Sequence, residues 1–272
     1  MLQKTFDIKG SESIAAEKFI EAGEKYLACW NTTEDSSCVN AFEFFQFEET
    51  DFSSFEELLE LANQKSQILS GQSSKTFFVW NNAEAACVPT IFYSDILAAD
   101  FVNITHGEMK QTYLHSQPTG DITVVSRLKM EKQQAAEKYF NGAQFGHAWT
   151  YLLKNNSINP DKKFICLNFY PGTFTLAAFA ENKLRLLQSR KYQLPEDVLY
   201  YVLNFLKQYN WNKEDTKIFA AGLIDPHSKL FDTLHQYLDG FETATPANGL
   251  LQADDFKNYP QHFFLPFANY KA

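Results

Sequence analysis

Runs of apolar residues along the chain alternate between a period of two and a period near 3.6, which are the signatures of strands and helices. Residues 25–47 read as strand, polar turn and strand. Tyr26, Ala28 and Trp30 interleave with Leu27 and Cys29, and residues 39–47 are rich in strand formers. A helix start follows at Asp51-Phe52-Ser53-Ser54. Asp51 or Ser53 is placed to cap, Glu56 and Glu57 suit the positive helix end, and Phe55, Leu58, Leu59 and Ala62 share one face. Gly71 and its serine neighbours close that helix. Strands are expected over 76–80 and 85–88, then a helix opened by Pro89 that carries Phe92, Ile96, Leu97 and Phe101 on its apolar side.

The second half reads the same way. Residues 163–179 form strand, turn and strand around Tyr170-Pro171-Gly172, and a third strand over 183–192 follows the Glu181-Asn182 turn. Pro195 starts a helix with Val198, Tyr201, Val202 and Phe205 inward. A strand over 217–221 leads to a helix opened by Pro226 with Leu230, Phe231, Leu234 and Leu238, and a last strand covers 241–245. Pro89 and Pro226 lie 137 apart and Tyr26 and Phe164 lie 138 apart, close to half of the 272 residues. The common offset points to a duplicated unit. Between the units come a strand over 122–128, a helix over 130–140, a short strand over 143–147 and a helix over 148–154. Asn155-Asn156-Ser157-Ile158-Asn159-Pro160-Asp161 is the strongest linker signal, so the domains are drawn as 1–158 and 159–272. The second ends in a helix over 253–259 and the aromatic segment 262–267, which is expected to fold back onto its lobe.

Composition narrows the function classes. With 24 basic and 33 acidic side chains the formal charge is −9, which disfavours a nucleic-acid groove and an anionic membrane surface. No long apolar run predicts a membrane span, and the first residues do not read as a signal peptide, so a cytoplasmic protein is expected. Cys29, Cys38, Cys87 and Cys166 form no C-x-x-C pair and read as small apolar fillers, with a Cys29–Cys38 bridge as the alternative. The chain has no G-x-S-x-G, H-E-x-x-H, Walker or G-x-G-x-x-G motif. His106, His115, His147, His227, His235 and His262 show no chelating spacing and read as surface or satisfied polar residues.

The tandem arrangement, and above all residues 163–192 followed by the Pro195 helix and Ile218-Phe219-Ala220-Ala221-Gly222, resembles an uncharacterised bacterial family with an actin-like ATPase fold. Thr76-Phe77-Phe78-Val79, Cys87-Val88-Pro89 and the run to Gly146-His147 fit the same resemblance. It implies an α/β fold of two lobes, one β-β-β-α-β-α (ribonuclease H-like) unit and its duplicate, with an interlobe cleft where relatives of the actin, sugar kinase and heat-shock chaperone superfamily hold nucleotide and metal. In such relatives each lobe wraps the phosphates with a glycine-bearing strand–turn–strand loop and an acid that holds Mg²⁺. Here the first loop is read as Asn31-Thr32-Thr33-Glu34-Asp35-Ser36-Ser37, without glycine. The second is Asn168-Phe169-Tyr170-Pro171-Gly172-Thr173-Phe174, with Asn168 where the active pattern has Asp. The nucleoside turn is Gly222-Leu223-Ile224-Asp225-Pro226.

What remains of a nucleotide site is therefore Asn168, Gly172, Thr173, Thr175, Gly222 and Asp225, with no catalytic residue and no metal ligand. The expected function is a non-catalytic binding or scaffolding module with a protein partner and no cofactor, a homodimer being the alternative partner. The alternatives are a nucleotide-binding protein or ATPase that takes ATP with Mg²⁺ on atypical loops, and a small-molecule kinase of sugar-kinase type, which lacks a catalytic Asp.

Overall fold

The computed structural model of the chain describes residues 1–10, 15–33, 38–154, 163–268 and 270. Contacts divide it into two units, Met1–Asn155 with Gly249–Asp255, and Asn156–Asn248 with Phe256–Tyr270.

In the first unit the elements are β1 (Gln3–Ile8), β2 (Ala15–Ala22), β3 (Tyr26–Thr32), β4 (Val39–Gln46), α1 (Phe55–Lys65), α2 (Gln67–Ser70), β5 (Ser73–Trp80), β6 (Ala85–Pro89), α3 (Ala98–His106), β7 (Thr112–Thr119), β8 (Ile122–Lys129), α4 (Met130–Tyr139), β9 (Gln144–His147) and α5 (Ala148–Lys154). The main sheet has the order β1-β4-β3-β2-β5-β9, with β2, β5 and β9 parallel and the other pairs antiparallel. Ile20, Leu27, Cys29, Phe45, Phe78 and Trp80 point to one face, where Leu58, Leu59 and Ala62 of α1 and Ala135 and Ala136 of α4 cover them. On the opposite face Phe19 stacks on Trp30 and Phe77 at 5.3 and 4.8 Å. Each such fully buried ring contributes roughly 1.5–3 kcal/mol. A separate antiparallel sheet, β6-β8-β7, packs on α3 through Val88, Ala98, Val102 and Val125.

The second unit contains β10 (Phe164–Tyr170), β11 (Thr173–Ala180), β12 (Lys183–Lys191), α6 (Pro195–Gln208), β13 (Lys217–Gly222), α7 (Lys229–Tyr237), β14 (Phe241–Thr243) and α8 (Leu265–Ala268). Its sheet runs β12-β11-β10-β13-β14, again with the last three parallel. Ile165, Leu167, Phe169, Phe174, Leu176 and Ile218 face Val198, Val202, Phe205 and Leu206 of α6 and Leu234 of α7. Pro195 occupies the first turn of α6, as expected.

The duplication is real, but the offset drawn from the prolines is not its measure. β2 holds the place in its sheet that β10 holds in the other: each runs antiparallel to the next strand and parallel to two later ones. The equivalent of β10 and β11 is therefore β2 and β3, not β3 and β4. Pro89 ends β6 in the small sheet, whereas Pro226 follows β13 of a main sheet, so the two landmarks are not equivalent.

Both proline-opened helices also start later than expected. Residues 90–92 and 95–97 form 3-10 turns before α3, and α7 begins at Lys229, where Ser228 accepts from the Phe231 N–H at 3.2 Å. α1 is capped by Ser54 rather than Asp51 or Ser53. β1, β2 and β7 are additional to the predicted strands.

The second lobe drawn as 159–272 is interrupted in the structure. Val39 N–H donates to the Leu250 carbonyl and Gln252 N–H to the Val39 carbonyl, so residues 249–255 belong with the first unit. The linker at 155–161 lies outside the described residues. Residues 254–258 form a 3-10 turn in place of the expected helix. The aromatic tail does fold back: Phe256, Phe264, Leu265 and Phe267 are buried, with Phe267 edge-on to Tyr170.

Candidate functional site

β10 and β11 present alternate residues to the face of their sheet opposite α6 and α7. Register places Ser189, Thr175, Asn168 and Ala221 in one row across β12, β11, β10 and β13. Asn168 and Thr175 are thus direct cross-strand partners. Asn168 is half-buried; Thr175 is buried, and its Oγ1 hydrogen-bonds the Ser189 hydroxyl at 2.8 Å.

One step toward the turn, Thr173 pairs with Tyr170 on one side and Lys191 on the other. Pro171 and Gly172 make the two-residue tip. Gly172 has φ +70°, the left-handed value that follows Pro in a type II turn. Its carbonyl accepts from the Tyr192 N–H at 3.1 Å, and Pro171 has no N–H to offer a phosphate.

Gly222 ends β13 at φ +79°, opposite Phe169. A Cβ there would fall 2.2 Å from the Phe169 carbonyl oxygen, so only glycine closes this approach. Leu223 N–H donates to that same carbonyl at 2.9 Å. Asp225 is exposed. Its Oδ1 accepts from the His227 N–H and its carbonyl from the Ser228 N–H and hydroxyl, so it organises the turn before α7 and does not cap the helix itself. The site residues therefore fall into three places: Asn168, Thr175 and Gly222 at one end of the sheet, Gly172 and Thr173 at the hairpin tip, and Asp225 in the following turn.

That turn has an occupant from the same unit. The buried ring of His262 donates from Nε2 to the Ile224 carbonyl at 2.8 Å. Burial lowers the His262 pKa, while this hydrogen bond and the Asp225 carboxylate act against the shift.

The first-unit loop is corrected by topology. Glu34, Asp35, Ser36 and Ser37 lie outside the described residues, and the 31–37 segment joins β3 to β4, which is not the hairpin equivalent to β10–β11. The equivalent turn is Gly23-Glu24-Lys25, between β2 and β3. Gly23 donates its N–H to the Tyr26 carbonyl, and a Cβ on it would strike the Tyr26 ring at 2.0 Å.

Beside this turn lies a buried polar cluster absent from the sequence-derived site. Tyr26 OH donates to Glu21 Oε1, and Asn81 Nδ2 donates to Glu21 Oε1 at 2.9 Å and to Tyr26 OH at 2.7 Å. Glu21 and Tyr26 are almost wholly inaccessible. The only local signal in the sequence is Phe19-Ile20 and Ala22 ahead of the turn residue Gly23, an apolar run broken by Lys18 and Glu21. Among the described residues, no group of three or more His, Cys, Asp or Glu side chains converges as a metal site.

Other titratable groups are structural. Burial lowers His147 to about 3; its Nε2 donates to Asn82, and its Nδ1 accepts from the Trp149 N–H. Burial pushes Cys87 and Cys166 up to about 12 and Cys29 well above its ordinary value, so these thiols are packing groups.

The fold is that of known structures. A Bacteroides thetaiotaomicron VPI-5482 protein, described as having an actin-like ATPase fold and unknown function, superposes with a TM-score of 0.76 at 16% identity, over 89% of this chain and 95% of its own. A chain of the PilM-PilN type IV pilus biogenesis complex gives 0.57 at 12% identity, over 94% and 98%. The ethanolamine utilization protein EutJ from Carboxydothermus hydrogenoformans gives 0.50 at 9% identity, over 97% and 92%. At these identities the likeness is one of fold alone. No curated protein matches the sequence. A family model matches residues 20–240, most of the chain, and the protein belongs to that family, described as protein of unknown function (DUF3822).

Proposed function

We propose that the chain is a non-catalytic binding or scaffolding module built on an actin-like ATPase fold, working in the cytoplasm with a protein partner. The observation that carries this reading is the state of the nucleoside-side turn: His262 of the buried tail already takes the Ile224 carbonyl. The hairpin supports it, because the Thr175 hydroxyl is buried against the Ser189 hydroxyl and Pro171 removes a phosphate donor. No helix among the described residues is long and apolar enough to cross a membrane. One fold relative occurs in a complex with a second protein, which gives the partner a precedent by analogy.

A second reading, a nucleotide-binding protein with atypical loops, draws on the convergence of Asn168, Thr175 and Gly222 at one end of the sheet. Thermal melts with and without Mg²⁺-ATP and Mg²⁺-ADP separate the two. A ligand at about 100 times its Kd adds ~2.7 kcal/mol, a shift of several degrees. The binding-module reading expects no shift. A shift that disappears in Asn168→Ala would establish the second reading, and a shift that persists would place a nucleotide site elsewhere; both overturn the first. Gly222 is not a usable probe, since any side chain there meets the Phe169 backbone.

A further inference from the structure

No lysine or arginine occurs between Lys75 and Lys110. The same stretch leaves large apolar side chains outside every core: Ile91 is 85% exposed, Ile96 90% and Ile104 81%, with Phe92 and Leu97 exposed beside them. The expected helix opened by Pro89 would have buried Phe92, Ile96 and Leu97. Two 3-10 turns take its place and turn these residues outward. Leu97 and Ile104, seven apart, share one side of α3, while Ala98 and Val102 face Val88 and Val125. Asp100 sits between them on the exposed side.

The rim of this surface is acidic. Asp95 and Asp100 are exposed, and Asp121 lies beside the Ile91 turn because its carbonyl accepts the Thr90 N–H at 2.8 Å. Glu108 follows the end of α3. The nearest arginine, Arg127, is buried and committed to Glu84 and Asn103. An exposed apolar patch with charged edges marks an interaction surface. Its charge selects the partner: a second copy docking patch to patch would set acid against acid, and anionic lipid would be repelled.

We propose that Ile91, Phe92, Ile96, Leu97 and Ile104, with Asp95, Asp100 and Asp121 around them, form the docking surface for a basic amphipathic segment of a partner protein, an apolar helix face flanked by Lys or Arg. The inference deepens the binding-module reading and rests on it. The two fail separately, since a nucleotide-induced shift overturns that reading whatever the peptide result below.

The test uses the full chain and two synthetic helix-forming peptides with the same leucine face, one carrying lysines on the polar face and one glutamates. Fluorescence anisotropy at low and high salt should show the lysine peptide binding at least about tenfold more tightly than the glutamate peptide, with the difference shrinking as salt rises. The Ile96→Ser/Ile104→Ser double variant should lose about tenfold in affinity with an unchanged melting temperature. Asp95→Asn/Asp100→Asn should lose the preference between peptides and retain apolar binding. Equal binding of both peptides, binding of neither, or indifference to the isoleucine variant would each overturn the proposal. So would a wild-type oligomer in sedimentation that the isoleucine variant dissociates, or vesicle binding that it abolishes.

Discussion

The β2–β3 and β10–β11 hairpins occupy the same place in two copies of one topology, yet they are held in different ways. In the first unit the turn is anchored by a buried carboxylate: Glu21 accepts from Tyr26 and Asn81, and Gly23 lets the Tyr26 ring lie against the backbone. In the second unit the same face of the hairpin carries no acid. Asn168 stands beside Thr175, and the turn is fixed by Pro171, Gly172 and the Phe169–Gly222 backbone contact. The apolar faces against α1 and α4, and against α6 and α7, are alike in kind. The lesson is that helix-side packing keeps the architecture, while the polar face can be rebuilt around whatever the turn requires.

The sharpest way to break the second hairpin is Gly222→Ala. It combines φ +79° with a Cβ placed 2.2 Å from a backbone oxygen, and should cost about 3–5 kcal/mol in denaturant unfolding. A loss below about 1 kcal/mol would show that the contact is not what closes the turn.

Next comes a direct comparison of the hairpins. Glu21→Ala removes the buried acceptor that Tyr26 and Asn81 share and should cost ~3 kcal/mol, whereas Asn168→Ala, at a half-buried position, should cost under about 1 kcal/mol. Equal losses would erase the distinction between an anchored and an unanchored polar face.

The effect that is smallest near neutral pH is tied to protonation and grows as the pH falls. His147 is lowered from 6.5 to about 3 by burial, so the folded chain stays neutral there while the unfolded chain takes a proton. Stability is unaffected by this residue above pH ~6.5 and falls by about 1.4 kcal/mol per pH unit from there toward pH ~3. His147→Gln should flatten that limb of the stability profile. An unchanged slope would assign the acid sensitivity to another group.

Much of the second unit was legible in its residues. Alternation over 163–179, the Glu181-Asn182 turn with both residues at positive φ, and Pro195 at a helix start are local signals that the tertiary structure keeps. β2 was hidden for a physical reason. Lys18 and Glu21 interrupt its apolar run, yet both are buried and satisfied, Lys18 donating to the Leu69 and Gly71 carbonyls. The Leu69 and Gly71 carbonyls that hold Lys18, and the Asn81 amide on Glu21, lie 51 to 60 positions away, so no local pattern announces them. Missing β2 shifted the first hairpin by one strand and carried the candidate loop to residues 31–37. Pro89 misled in the same way: it ends a strand, and the apolar residues after it belong to a surface. Asn168, Thr175 and Gly222 were legible as neighbours because their strands were. The buried tail contact of His262 on Ile224 was not, since it joins residues 38 positions apart through packing alone.

The most direct test of the account is a titration calorimetry measurement of Mg²⁺-ATP binding to the wild-type chain and to Asn168→Ala. The account predicts no saturable heat for the wild type. Stoichiometric binding to the wild type, lost in Asn168→Ala, would contradict it.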